Sequence, residues 1–277
     1  MKKLLITLLL ISTSLTASMH VAVSIQPQKY FLEQIMGEES NITVLVPTGS
    51  SPATYAPKPS QLKALKKASL YFSIGVAFEE SWLPRFQSIH KDMPIIDTCK
   101  NITKRSISHT NGEHHHVGLD PHIWLSPKLV MIQAKTIKDA LSTYNPKQKE
   151  KYEKNYTAFI KKLEALDTKM KNILSPLKQK SFIVFHPSFG YLADDYGLTQ
   201  IAIEKEGKEP SLRHIKRVID YAKEKNIKTI FVAPQFSQKA ATQIAKQVGA
   251  EVVTINPLAQ EWETNLLKVA KSFEEAH

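Results

Sequence analysis

The segment that most constrains this chain is a helical run over residues 127–174, interrupted once at Asn145-Pro146. Within it Tyr152, Tyr156, Phe159, Leu163, Leu166 and Met170 recur at steps of three and four, which makes one helix face apolar. Lys and Glu occupy the opposite face. Pro146 suits the first turn of a new helix, where its missing N–H costs no hydrogen bond. At 1.5 Å per residue, the part after the break reaches roughly 40 Å for about 28 residues, enough to run the height of two lobes.

On either side of this run, short apolar stretches alternate with helical ones. Before it, strands are predicted over 21–25, 42–46, 70–74 and 94–97. The helices between them cover 30–36, closed by Gly37, then 60–68, and 78–83, kinked or ended by Pro84. Glu79 and Glu80 stand at a helix start, where they cap or pair. After the run, strands are predicted over 182–185, 199–203, 229–233 and 251–255. Helices cover 189–196, 211–226, 237–248 and 261–275, with Gly197 and Gly249 as stops. Such alternation argues for βαβ units. The expected fold is α/β: two lobes, each a mainly parallel four-stranded sheet flanked by helices, joined by one long helix. The expected bounds are 19–127 for the N-terminal lobe with its His-rich loop, 128–178 for the linker helices, and 179–277 for the C-terminal lobe.

Met1-Lys2-Lys3 followed by an apolar stretch over 4–15 reads as a signal peptide covering residues 1–18, cut near Ala17 or Ser18. The stretch is well short of the ~20 apolar residues of a membrane span. The only cysteine is Cys99, so no disulfide forms within one chain. No cysteine follows the signal region to take a lipid anchor. A soluble exported protein is expected, periplasmic where the cell has two membranes. The formal charge of +11 comes from Lys interleaved with Glu on helix faces. It reads as a solvated surface, and no aromatic-basic motif points to nucleic acid.

Four of the ten histidines fall in Glu113-His-His-His-Val-Gly-Leu-Asp-Pro-His122-Ile-Trp-Leu-Ser-Pro127, and His109 extends the cluster. Imidazole is the commonest metal-binding side chain near neutral pH, because it can be neutral there and offers a lone pair. His114, His115 and His116 sit in a polar run suited to collecting a metal. His122, between Pro121 and apolar Ile123-Trp124-Leu125, suits a built site. Ligands of parallel sheets bind beyond the carboxyl ends of the strands. His186 lies directly after one predicted strand and Asn256 after another. The loops carrying His122 and residues 47–59 follow strands of the first lobe. All four can meet in a cleft between lobes.

These residues sit in a series of words: Pro47-Thr-Gly-Ser-Ser-Pro-Ala-Thr-Tyr55, Pro57-Lys-Pro-Ser-Gln-Leu62, Leu119-Asp-Pro-His-Ile-Trp-Leu-Ser-Pro127, Phe185-His-Pro-Ser-Phe-Gly-Tyr191, Glu206-Gly-Lys-Glu-Pro-Ser211 and Pro234-Gln-Phe236. Taken in order, they resemble the zinc- and manganese-binding solute-binding proteins of bacterial ABC transporters, most of all the periplasmic zinc-uptake (ZnuA-like) branch. The resemblance covers the whole mature chain. It implies two lobes, a stiff helical linker, and limited closure around Zn2+ as the transported ligand. It also implies delivery to an ABC permease in the inner membrane, with a monomer expected. A His-rich loop before the Asp-Pro-His word, and His at 186 where manganese relatives tend to carry Glu, favour zinc.

Two positions depart from that pattern. The family's first ligand is a His in a Pro-His-x-Tyr word, and here it is Ala53. An Asp common in an Asp-Pro-Leu word is here Asn256. His122 and His186 remain as ligands, whereas zinc prefers four donors. One of His114 to His116, or Glu206 after a strand end, is a candidate to fill the gap; Asn256 can reach the metal through a water or orient a His. The alternatives left open are a relative with weakened binding in an auxiliary or other-metal role (Mn, Fe or Cu), a metal-dependent hydrolase, and an interaction protein. No His-Glu-x-x-His helix, Gly-x-Ser-x-Gly elbow or carboxylate pair beside these histidines supports an enzyme. Trp82, Trp124 and Trp262 read as packing residues, and Cys99 as a free thiol.

Overall fold

The computed structural model describes residues 19–37, 40–107, 118–204 and 210–276. The signal peptide, His109, His114 to His116 and Glu206 lie outside the described residues. The first lobe runs β1(His20–Val23), α1(Gln26–Met36), β2(Asn41–Val44), α2(Pro59–Leu65), β3(Leu70–Ser73), α3(Ala77–Ile89) and β4(Ile95–Asp97). Two helices follow, α4(Pro127–Tyr144) and α5(Lys149–Leu174). The second lobe runs β5(Ser181–Val184), α6(Gly190–Tyr196), β6(Thr199–Ala202), α7(Leu212–Glu224), β7(Thr229–Val232), α8(Gln238–Val248), β8(Glu251–Thr254) and α9(Trp262–Glu275).

Both sheets are four-stranded and parallel, and they share one pattern of strand order: β2-β1-β3-β4 and β6-β5-β7-β8. The inner strands β3, β5 and β7 are buried at every position, as continuous apolar runs covered on both faces must be. Edge strands β2, β4 and β8 are only half covered. Ser211 caps α7 by accepting from the His214 N–H at 3.3 Å. Gly197 and Gly249 close α6 and α8 in the left-handed conformation.

Pro84 does not end its helix; α3 continues to Ile89 with the proline inside. The carbonyl it leaves unpaired belongs to Glu80, which is exposed, so water can take the bond. The long helical run is also divided more sharply than its sequence suggests. A 3₁₀ turn over Pro146–Gln148 folds α5 back onto α4, and these two helices pack together.

With 26 residues, α5 is about 39 Å long, and it packs on α1 of one lobe and on α9 and α6 of the other. Its stripe of Tyr152, Phe159, Leu163, Leu166 and Met170 joins one core cluster with Phe31 and Leu32 of α1 and Trp262 and Phe273 of α9. Trp262 meets Phe31 edge-on at 5.1 Å, and Tyr30 donates to Glu263 at 3.0 Å. The helical layer is thus the shared core of both lobes rather than a free rod between them.

Candidate metal site

The carboxyl end of β5 opens the site. Val184 pairs with Ala202 across the β5–β6 ladder, so His186 and Glu204, each two residues on, come side by side. His186 Nδ1 lies 2.8 Å from Glu204 Oε2, and Glu204 is buried. The second imidazole comes from the loop before α4. There Asp120 Oδ1 accepts from the His122 backbone N–H at 3.0 Å and bonds His122 Nδ1 at 2.8 Å. Asp120 is 1% exposed, so little water reaches its carboxylate.

A carboxylate oxygen accepts, so each Nδ1 is the donor of its pair, and in a neutral ring the Nε2 lone pair is left for a ligand. Burial lowers the proton affinity of His122, and the Asp120 bond opposes this only in part. The ring is therefore neutral near pH 7, the form that binds metal. A carboxylate behind a ligating imidazole fixes its tautomer and raises its basicity.

The two rings meet edge-on, with centres 5.3 Å apart at 72°. Two imidazoles sharing one ion at about 2.0–2.1 Å and a tetrahedral angle hold their centres about 5 Å apart; an in-line pair would need about 6 Å. The observed spacing leaves room for a shared ion, and it is also the spacing of an ordinary edge-to-face ring pair. Phe236 stacks on His186 at 4.6 Å, and Trp124 lies 5.1 Å from His122. Trp124 is pinned by donating to Pro257 O at 2.7 Å, and its own carbonyl accepts from the Trp262 indole at 2.7 Å. Trp124 and Trp262 are packing residues that hold the His122 loop on the second lobe.

The other candidates divide. Asn256 Oδ1 accepts from Gln235 Nε2 at 3.2 Å and from Leu258 N at 3.0 Å, so it closes its own loop. Ala53 is exposed on the 47–59 loop. Cys99 is buried, and burial pushes its thiol up to about 12, which keeps it protonated and a poor ligand. Among the described residues no group of three or more His, Cys, Asp or Glu side chains could hold a metal ion. Sequence reasoning missed Asp120 and Glu204. Asp120 stood in a quoted word, two residues before His122, a spacing from which an Asp reaches back-to-ring contacts. Glu204 carried no sequence signal of its own beyond closing a strand.

No helix among the described residues is long and apolar enough to cross a membrane. The sequence model of the family described as "Zinc-uptake complex component A periplasmic" matches residues 21–275. The high-affinity zinc uptake system protein ZnuA of Bacillus subtilis (strain 168) is 32% identical over 254 residues, which cover 87% of this chain and 78% of that protein. The zinc-binding lipoprotein AdcA of Streptococcus pneumoniae serotype 4 is 32% identical over 252 residues, and the chain spans about half (50%) of its length. A crystal structure of a zinc-bound ZnuA deletion mutant superimposes with a TM-score of 0.89 at 45% identity, covering 94% of this chain and 98% of that one.

Proposed function

Because the chain belongs to the family of the periplasmic component A of zinc-uptake complexes, we propose that it captures Zn2+ between its lobes and hands it to an ABC permease in the inner membrane. His122 and His186 are the two fixed nitrogen ligands in this reading. The observation that supports it is the pair of imidazoles 5.3 Å apart, each braced at Nδ1 by a carboxylate. The work is capture and release outside the cytoplasm, with no bond made or broken in a substrate. Zinc uptake also agrees with what the relatives are called: one a high-affinity zinc uptake protein, another a zinc-binding lipoprotein.

Two imidazoles supply half of zinc's preferred coordination. His114 to His116, a few residues before His122, are the proposed auxiliary collector, and Glu206 is a weaker candidate. Ala53 adds no donor, and this favours one second reading: a family member with weaker metal binding in an auxiliary role. Calorimetric titration of the mature protein with Zn2+ tests both. One tight site, lost in His122→Ala/His186→Ala, supports capture in the cleft. Weak binding untouched by that double variant and abolished by deleting 111–116 would remove the cleft site and leave the second reading.

A further inference from the structure

Segment 186–195 both supplies one imidazole and grips the loop that carries the other. His186 follows β5, and four residues later the chain enters α6. Tyr191 of α6 donates its hydroxyl to Asp120 O at 2.8 Å and accepts from the Arg105 N–H at 3.1 Å. Arg105 Nε pairs with Asp194 at 3.1 Å, and its guanidinium lies 5.9 Å from the Tyr191 ring centre. Arg105 and Asp120 form the two sides of one stem. Asp120 N donates to Arg105 O at 2.8 Å, and Ser106 bridges Leu119 in antiparallel fashion.

Gly190 permits the close fit. A Cβ there would lie 1.8 Å from Arg105 Nη1 and 2.9 Å from Asp120 Oδ2. Beyond His122 the same helix holds on again: Asp195 accepts from the Ser126 hydroxyl at 2.5 Å and pairs with Lys128 at 3.3 Å. Burial raises the Tyr191 phenol to about 12, so it remains a donor near neutral pH.

We propose that Tyr191, with Asp194 and the bare backbone of Gly190, is the positioning device for His122, so that one segment of the second lobe sets the spacing of both metal-facing imidazoles. The inference rests on the reading that His122 and His186 hold the metal. Its physical basis is the path length. Tyr191 is five residues from His186 along a buried chain and one hydrogen bond from the residue whose carboxylate braces His122. The pair is then preset, and lobe closure does not have to assemble it.

The test uses the mature chain and measures Zn2+ affinity by competition with a chromophoric chelator, with the Co2+ absorption spectrum as a reading of ligand geometry. Tyr191→Phe keeps the ring and removes only the hydroxyl. Tyr196→Phe is the control, a phenol of the same helix that bonds Asp167 of α5 at 2.8 Å. Outer-shell changes typically cost about 10–100-fold in metal affinity. Tyr191→Phe is expected to weaken Zn2+ about tenfold and alter the Co2+ bands, with a Tm no lower than that of Tyr196→Phe, which leaves affinity unchanged. In a His122→Ala background Tyr191→Phe should cost nothing further. An affinity within twofold of wild type in Tyr191→Phe, or an equal loss with and without His122, overturns the proposal. If His122→Ala/His186→Ala itself keeps full affinity, the metal reading falls with it; if that variant loses zinc while Tyr191→Phe does not, only the positioning device falls.

Discussion

The two sheets share one strand order, yet their first strands deliver opposite chemistry to their carboxyl ends. In the first lobe β1 runs into Ser24, fully buried, whose hydroxyl bonds Tyr71 at 2.6 Å and the carboxylate of Glu79. Glu79 also accepts from Ile74 N at 2.9 Å and Gly75 N at 2.6 Å. Its lone pairs are spent on holding the start of α3. In the second lobe β5 runs into His186, braced by the equally buried Glu204. There the carboxylate is spent on one ring nitrogen, which leaves the other for a ligand. A buried acid at a strand end is therefore not a binding signal in itself. What decides is whether its partners are backbone donors, which close the knot, or an imidazole with a second face.

The sharpest way to break this contrast is to remove the imidazole. His186→Ala should weaken Zn2+ by more than the ~100-fold that bounds typical outer-shell losses, whereas Ser24→Ala should leave affinity unchanged. Equal losses in a competition titration would mean that the two strand ends are not functionally distinct.

The first lobe's knot should instead appear in stability. Burial raises the Glu79 carboxyl to about 7 from an ordinary 4.5, against the opposing pull of its hydrogen bonds and of Lys104. A folded-state value above the unfolded one means that the protonated form stabilises the fold. That stability is complete below the unfolded value and is lost as pH rises through 7. Between pH 5 and 8 unfolding free energy should fall by roughly 2–3 kcal/mol from this group, at 1.36 kcal/mol per unit. Urea titrations at both pH values should show the fall in wild type and a flat profile in Glu79→Gln. A fall that persists in the variant assigns it to other groups.

Glu204→Gln sharpens the second half of the comparison. An amide oxygen still accepts from Nδ1 but carries no charge, so Zn2+ affinity should drop about 10–100-fold. The Glu79→Gln protein should bind as wild type does. Phe236→Leu is the smallest expected effect. The stack on His186 is worth about 0.5–1.5 kcal/mol, a loss of several-fold in affinity. Calorimetry on the two variants side by side checks the ranking.

Much of the architecture was legible because hydrophobic period is a local property. Runs such as Phe182-Ile-Val-Phe185 have no polar face to expose, and the six-residue stripe of α5 has only one face to bury. What the sequence left open falls where the surroundings decide. Pro84 sits inside α3, where the carbonyl it leaves unpaired belongs to the exposed residue Glu80. The helical run doubles back at Pro146–Gln148 because α4 and α5 have apolar faces that meet. Of the candidate site, the sequence pointed to His122 and His186 from their place after strands and loops, and the structure brings these two rings together. Glu204 was not legible in the sequence. The relation of Glu204 to His186 exists only through the register of β5 with β6.

The amino-acid sequence by itself determined the strand–helix alternation, the two imidazoles, and the presence of Ala53 and Asn256 in their loops. These depend on residue type and order alone. The tertiary structure decided which nitrogen of each imidazole is free, because Asp120 and Glu204 reach the rings only in the folded chain. It also decided that the His122 loop of the first lobe is anchored to α6 of the second, through contacts that join Arg105 and Asp120 to Tyr191 and Asp194. Such pairs lie 71 to 89 positions apart in sequence. No local periodicity can encode them, since only packing of the shared helical core brings those segments together.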